Sequence, residues 1–167
     1  MKAIIFTSNT GYTRKYAQIL SQKTGFPAYE LSQSKALLSE LDEVVYMGWV
    51  MAGSVKGYKA AAKHYKIIAV CPVGMAPNDD GLGKQALEDF KQIGVPVFYL
   101  QGGFDMKKLR GMNKLMMKLM KNVLVKQINN KPDKTPEDDE MLKALDDGAD
   151  FVKEENLTSV IDFIAKK

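Results

Sequence analysis

Short apolar runs recur along this chain, and helical patterns fill most of the segments between them. The predicted strands are Ala3–Phe6, Phe26–Leu31, Val44–Met47, Ile67–Cys71 and Val95–Leu100. Continuous β-branched runs are typical of strands covered on both sides, as in a parallel sheet with helices on both faces. Pro27 favours an edge position for the second strand, because proline cannot donate to a ladder. The pattern therefore predicts an α/β fold.

The remaining segments divide into helices and one long insertion. The predicted helices are Tyr12–Lys23, Gly57–Tyr65, Gly83–Ile93 and Leu157–Ala165. Gly25 is expected to end the first helix and Pro72 the fourth strand. The stretch 104–155 is too long for an ordinary connection, so we predict an insertion after the fifth strand, within a single domain spanning residues 1–167.

The insertion has a helical pattern of its own. We expect a helix through Gln127, a polar loop over Asn129–Asp139 and a short helix over Glu140–Leu145. Six lysines and one arginine lie between Asp105 and Lys126 against one acidic residue. The net charge of +4 is therefore a local feature of this segment.

Composition excludes several classes of protein. The chain has one cysteine, Cys71, and one histidine, His64, so it can form neither an internal disulfide nor a Cys/His zinc site. No apolar run approaches the roughly 20 residues of a membrane-spanning helix, and the apolar start of the chain is too short for a signal peptide. We therefore expect a cytoplasmic protein without a metal site, in which any redox chemistry comes from a bound cofactor.

A segment rich in hydroxyl groups follows the first strand and opens the first helix. Its residues are Thr7, Ser8, Asn9, Thr10, Gly11, Tyr12 and Thr13. Free backbone N–H groups and the helix dipole make such a junction suitable for a phosphate, and glycine lets the backbone approach it closely. One hydroxyl would be explained by helix capping alone, whereas four exceed that need. The segment therefore predicts a phosphate site.

Two common nucleotide-binding patterns are absent from this junction. No Gly-Lys-Ser/Thr follows the loop, which disfavours a nucleoside triphosphatase. No G-x-G-x-x-G is present either, which disfavours the usual dinucleotide-binding fold. The phosphate is therefore expected to belong to another kind of cofactor.

The segment from Thr7 to Thr13 resembles the T/S-x-T-G-x-T phosphate loop of flavodoxins, in the same place after the first strand. The resemblance implies a flavodoxin-like fold, with a five-stranded parallel sheet of order 2-1-3-4-5. It also implies that FMN is the cofactor and binds where the strand order reverses, beside the first and third strands.

In that fold the loops after the third and fourth strands, Gly48–Gly57 and Val73–Asn78, are expected to hold the flavin ring. The candidate residues in these loops are Trp49, Val50, Met51, Ala52, Gly53, Val73, Gly74 and Met75. Trp49 could stack on the ring or pack in the core, and Lys56 could lie near the ring or in solvent. His64 and Cys71 are interpreted as structural.

A basic amphipathic pattern dominates the first half of the insertion. Its apolar residues recur at intervals of three and four: Met106, Leu109, Met112, Met116, Leu119, Met120 and Val123. Lysines occupy the other side, which suits an anionic lipid surface or an acidic partner. Alternatively, the apolar stripe packs on the domain. The segment 105–126 is thus a candidate for peripheral contact with the inner face of the membrane.

The segment Gln101–Phe104, the basic helix and the polar loop after it resemble the insertion in flavodoxin-type, menaquinone-dependent protoporphyrinogen oxidases. The resemblance implies an FMN-dependent oxidoreductase that transfers electrons between a donor such as protoporphyrinogen and a quinone or protein acceptor. No catalytic side chain is predicted, because the flavin would carry the chemistry. The alternatives are a simple electron-carrier flavodoxin and a flavin-free domain that binds partners. We expect no nucleic-acid partner.

Overall fold

The chain divides into two compact units. A computed structural model describes residues 2–51, 53–75, 94–105, 107–109 and 111–167. The first unit comprises Met1–Gly102 and Phe151–Lys167, and the second comprises Gly103–Asp150. The second unit begins one residue before the predicted insertion, 104–155, and ends five residues before the insertion does. That the two units form one domain stays a prediction.

The first unit is built on a largely parallel sheet. Its strands are β1 (Lys2–Thr7), β2 (Ala28–Glu30), β3 (Glu43–Met51), β4 (Ser54–Val55), β5 (Lys66–Gly74) and β6 (Leu100–Gln101). The order is β2-β1-β3-β5-β6, with β4 antiparallel to β3. This confirms the predicted α/β fold, the parallel order 2-1-3-4-5 and the edge position of the second strand.

Pro72 does not end the fourth parallel strand, and that prediction is wrong. β5 continues to Gly74, and Pro72 lies opposite Gly48 of β3. On the other side of β5, Val70 and Gly74 hydrogen-bond to the segment 96–102. Pro72 lies midway between them, so alternation directs its missing N–H toward that same side. The hydrogen bond that Pro72 cannot donate is therefore missing between β5 and the segment that contains β6, at this edge of the sheet.

The predicted strand Val95–Leu100 is accordingly interrupted. It consists of a bridge between Val70 and Val97 and of the two residues of β6, where Val73 lies opposite Leu100. Both pairings have the same register, so the segment between them stays aligned with β5. It lacks ladder hydrogen bonds only opposite Pro72.

Four α-helices and one 3₁₀ helix are described in the first unit. They are α1 (Tyr12–Thr24), α2 (Leu31–Ser34), α3 (Tyr58–Ala61), the 3₁₀ helix Glu154–Leu157 and the last α-helix Thr158–Ala165. α1 ends at Gly25 in the left-handed conformation, with φ 73°, as predicted. The predicted helix Gly57–Tyr65 is shorter, because the chain turns after Ala62 and buries Tyr65. The predicted helix Gly83–Ile93 lies outside the described residues.

The core lies on both faces of the sheet. Ile4, Phe6, Val45 and Met47 are buried on one face, under α1 and the last helix. The alternate residues on these strands are buried on the other face: Ala3, Ile5, Val44 and Tyr46. Double-sided burial explains why these strands carry continuous apolar runs.

The second unit is a helical hairpin closed by a pair of short strands. Its elements are β7 (Gly103–Phe104), α4 (Gly111–Asn129), α5 (Pro136–Asp147) and β8 (Ala149–Asp150), with β7 antiparallel to β8. We name the last helix of the first unit, Thr158–Ala165, α6.

Two predictions for this unit need correction. α4 begins at Gly111, which has φ +55°, so Leu109 lies before the helix and not on its stripe. The predicted loop Asn129–Asp139 is shorter, because α5 begins at Pro136. Thr135 and Asp138 form a reciprocal capping box with Pro136 at the first helical position, a start signal that the sequence contained.

Candidate functional site

The loop between β1 and α1 wraps around the hydroxyl of Ser8. Ser8 Oγ accepts hydrogen bonds from the backbone N–H groups of Gly11 at 3.1 Å and Arg14 at 3.4 Å. Gly11 has φ 97°, in the left-handed region that favours glycine, and no atom lies within 4 Å of the position its Cβ would take. Hydrogen bonds within the loop therefore fix its conformation, and there is free space beside Gly11.

Polar groups of this loop remain without partners. Among the described residues, the backbone N–H groups of Asn9, Thr10 and Thr13 donate to no acceptor, and the hydroxyls of Thr10 and Thr13 form no hydrogen bond. Thr13 retains only 2% exposure. Since no fully buried side-chain oxygen or nitrogen of the described residues lacks a partner, the exposed part of Thr13 includes its hydroxyl. These donors at the N-terminus of a 13-residue helix suit a phosphate.

Thr7 has a different environment from the rest of the loop. Its hydroxyl donates to the carbonyl of Lys56 at 2.7 Å and lies 3.1 Å from the hydroxyl of Tyr46. Tyr46 also donates to the Lys56 carbonyl, at 2.6 Å, and burial raises the pKa of Tyr46 to about 12. The hydrogen of the Thr7 hydroxyl is thus engaged within the protein. That Thr7 binds phosphate stays a prediction, which this geometry does not support.

The hydroxyls of Thr7 and Tyr46, which both donate to the Lys56 carbonyl, attach a β-hairpin to β1. The segment Gly48–Gly57, predicted as a loop, is a continuation of β3 that pairs with β4 through Val50 opposite Val55 and Met51 opposite Ser54. Its turn contains Gly53, which is exposed and has φ 67°, whereas Ala52 lies outside the described residues.

Trp49 lies on this hairpin, half-buried, with the ammonium of Lys56 6.0 Å from its ring centroid. A cation at that distance is attracted to the face of the ring. Two sets of contacts therefore fix the position of Lys56. Its carbonyl accepts hydrogen bonds from the Thr7 and Tyr46 hydroxyls, and its ammonium lies near the indole of Trp49. Whether Trp49 stacks on a flavin stays a prediction.

The end of β5 contributes main chain more than side chains. Val73 is 5% exposed and packs in the core, so it could contact a ligand only through its backbone. Gly74 lies against the hydroxyl of Tyr99, where any Cβ would overlap, and its carbonyl accepts from Gly102 N–H at 2.7 Å. Met75 is half-buried, and residues 76–78 of the predicted loop lie outside the described residues.

The sheet register brings the three segments to one edge. Thr7 lies opposite Gly48, Gly48 opposite Pro72, and Trp49 opposite Val73. The carboxyl ends of β1, β3 and β5 therefore meet where the strand order reverses, the usual place for a ligand in an open α/β sheet. The structure thus brings together the candidate residues that it describes.

His64 and Cys71 lie away from this edge. Cys71 is buried in β5, where burial raises the pKa of its thiol and keeps it inert. His64 is half-exposed, with Nδ1 4.0 Å from a carboxylate oxygen of Glu40. Within the described part of the chain, no group of three or more histidine, cysteine, aspartate or glutamate side chains could hold a metal ion.

A family model described as "Flavodoxin domain" matches residues 3–131. The chain belongs to the flavodoxin domain family. The match includes the phosphate loop, all strands of the sheet and α4 of the hairpin unit. No curated protein matches this flavodoxin domain significantly.

Membership of the flavodoxin domain family indicates the general function of the candidate site. Flavodoxin-like domains bind flavin, usually FMN, and the family indicates a role in electron transfer. In the part of the chain that the structure describes, no helix is long and apolar enough to cross a membrane.

Proposed function

We propose that this flavodoxin domain binds FMN and transfers electrons between a donor and a quinone or protein acceptor. The observation that carries the proposal is the phosphate loop, in which the amides of Asn9, Thr10 and Thr13 and the Thr13 hydroxyl have no partner within the described residues. In the family, the flavin supplies the electron-accepting chemistry, so the protein needs no catalytic side chain.

Each segment of the candidate site has its own part in this proposal. Thr10, Thr13 and the amides at the start of α1 would hold the phosphate. The hairpin at Trp49 and the backbone of Gly74 would position and shield the ring. The hydroxyls of Thr7 and Tyr46 would fix the hairpin through the Lys56 carbonyl.

Replacing Thr13 with valine tests the phosphate role, because valine keeps the shape and removes the hydroxyl. A hydrogen bond to a charged group contributes about 1.5–3 kcal/mol, so we expect FMN to bind about 10- to 100-fold more weakly. Fluorescence quenching during FMN titration measures this.

Riboflavin, which lacks the phosphate, is the matched control ligand. We expect the T13V variant and the parent chain to bind riboflavin equally. An equal loss for FMN and riboflavin would contradict phosphate binding by Thr13. A parent chain that quenches neither ligand would contradict flavin binding and favour the domain that binds only partners.

The finer assignment, oxidation of protoporphyrinogen with a quinone acceptor, rests on the resemblance of the insertion. The competing function is that of a simple electron-carrier flavodoxin. The FMN-loaded protein separates the two when its oxidation of protoporphyrinogen with a menaquinone analogue is compared with one-electron transfer to a ferredoxin-type protein. Activity only in the second assay would exclude the oxidase.

A further inference from the structure

α4 of the hairpin unit carries a row of exposed apolar side chains. These are Met112, Leu115, Leu119 and Val123, exposed by 73%, 55%, 58% and 55%. Their intervals of three and four residues place them on one side of the helix, over about 16 Å at 1.5 Å per residue. We call these four side chains the outer face of α4. It contains Leu115, which the predicted stripe did not.

The opposite side of α4 packs on α5. Lys121 of α4 pairs with Asp146 of α5 at 2.5 Å, and Ile128, seven residues further along, is buried. Residues at these positions lie about 180° from the outer face around the helix. α4 is thus apolar on two sides, and packing within the hairpin explains only one of them.

The charge of α4 identifies what could cover the outer face. The helix contains four lysines and no acidic residue. Lys121 is paired with α5, but Lys114, Lys118 and Lys126 are exposed and have no ion-pair partner among the described residues. Lys114 precedes Lys121 by seven residues and therefore lies on the side of the helix that faces α5. Lys118 lies at the flank, and Lys126, three residues after Val123, lies on the side of the outer face. Two unpaired cations therefore accompany the exposed aliphatic row.

We propose that the outer face of α4 docks on an anionic membrane surface, with its apolar side chains among the acyl chains and with Lys118 and Lys126 at the phosphates. Long lysine side chains can reach the headgroups while their stems lie along apolar surface. A second copy of this chain would bring like charges together, which disfavours it. Protein interfaces are enriched in aromatic residues and arginine and depleted in lysine, which disfavours an acidic protein.

Only the purpose of the docking rests on the proposed function, because the protein would meet a quinone acceptor in a membrane. The docking itself does not need flavin. Vesicle binding and FMN binding can therefore be measured separately on the same protein.

Sedimentation with vesicles tests the proposal on the full chain. We expect binding to vesicles containing phosphatidylglycerol and little binding to pure phosphatidylcholine. Removing two lysines as K118Q and K126Q should weaken binding to the anionic vesicles about 25-fold, since each lysine near such a surface contributes about a factor of five. The pair L115Q and L119Q should weaken it at least about 10-fold.

A matched control removes two exposed lysines elsewhere, as K63Q and K166Q, and should bind vesicles nearly as the parent does. All variants should bind FMN like the parent chain, which also shows that they fold. Equal binding to both vesicle types, no binding by the parent, or α4 variants that bind like the control would overturn the proposal. So would a parent dimer that the L115Q and L119Q pair converts to monomer.

Loss of FMN binding with vesicle binding intact would contradict the proposed function alone. Loss of vesicle binding with FMN binding intact would contradict only the docking of α4.

Discussion

The phosphate loop and the helical hairpin are specified in different ways. The loop and its neighbours depend on close contacts between main chain and hydroxyl groups, such as those of Thr7 and Tyr46 with the Lys56 carbonyl. The hairpin Gly103–Asp150 depends on two amphipathic helices with opposite charge and on buried side chains such as Ile128 and Leu145. We therefore expect the first region to tolerate few residue types at each position and the second to need only a suitable pattern.

This contrast explains what each region can do. A site that must hold a phosphate requires groups in fixed positions, and rigid strand and helix ends provide them. A surface that docks on lipid requires exposed apolar area and charge, which the outer face of α4 provides without exact placement. The most sensitive positions should therefore be near the loop.

The largest effect is expected from Gly57→Ala. Gly57 has φ 81°, and a Cβ there would overlap the Tyr46 hydroxyl and lie 2.6 Å from Thr7 Cγ2. Backbone strain and overpacking together should cost about 4 kcal/mol of unfolding free energy, and displacement of Tyr46 should release the Lys56 carbonyl. Urea unfolding followed by circular dichroism measures the loss.

Gly25→Ala separates strain from overlap. Gly25 has φ 73°, but no atom lies within 4 Å of the position its Cβ would take. This variant should lose only about 1–2 kcal/mol, the usual cost of the left-handed conformation. Equal losses at the two glycines would mean that contacts at Gly57 are unimportant.

The next effect is expected from Leu145→Ala in the hairpin. Leu145 is fully buried, and few other side chains are buried among the described residues of this unit, so the cavity should cost about 3 kcal/mol. Hydrogen exchange should show faster exchange in α4 and α5 and unchanged exchange in β1 and β3. A loss of protection throughout both units would contradict the independence of the hairpin.

Leu119→Ala is the matched control, because Leu119 is 58% exposed on the same hairpin. We expect a change close to zero, since little apolar area is lost and alanine favours a helix. A cost similar to that of Leu145→Ala would show that the outer face of α4 is covered.

The same contrast separates what could be predicted from the sequence. The α/β fold and the place of the loop after the first strand followed from the buried runs and from Thr7–Thr13, because local patterns determine them, whereas the strand order came from the resemblance to flavodoxins. The side of α4 that packs could not be predicted, because apolar residues at both Leu115 and Ile128 satisfy the same periodicity.

Details of the site escaped prediction for a related reason. Nothing local to Thr7 indicates that its hydroxyl donates to Lys56, 49 residues away. The extension of β3 into a hairpin likewise depends on pairing with β4, which only tertiary structure provides. The start of α5 at Pro136, in contrast, was readable from the capping box.

The smallest effect is expected at acidic pH, in the capping box of α5. The Lys131 ammonium, 2.6 Å from Asp138, and the Thr135 N–H lower the pKa of Asp138 below its ordinary value of 3.8. A lowered carboxyl pKa stabilises the folded state at pH values above 3.8, and this contribution is lost as the pH falls through the lower, folded-state value. The protection factors of the α5 amides, which correct for the intrinsic pH dependence of exchange, should therefore fall below about pH 4.

Asp138→Asn should remove this acid dependence and leave α5 slightly less protected at neutral pH, because asparagine can still cap but cannot pair with Lys131. Asp139→Asn is the control, since its exposed carboxylate has no hydrogen-bond or ion-pair partner among the described residues. If both variants follow the parent below pH 4, Asp138 does not link the hairpin to pH. A change confined to D138N would show that one carboxylate, held by one lysine, stabilises the start of α5.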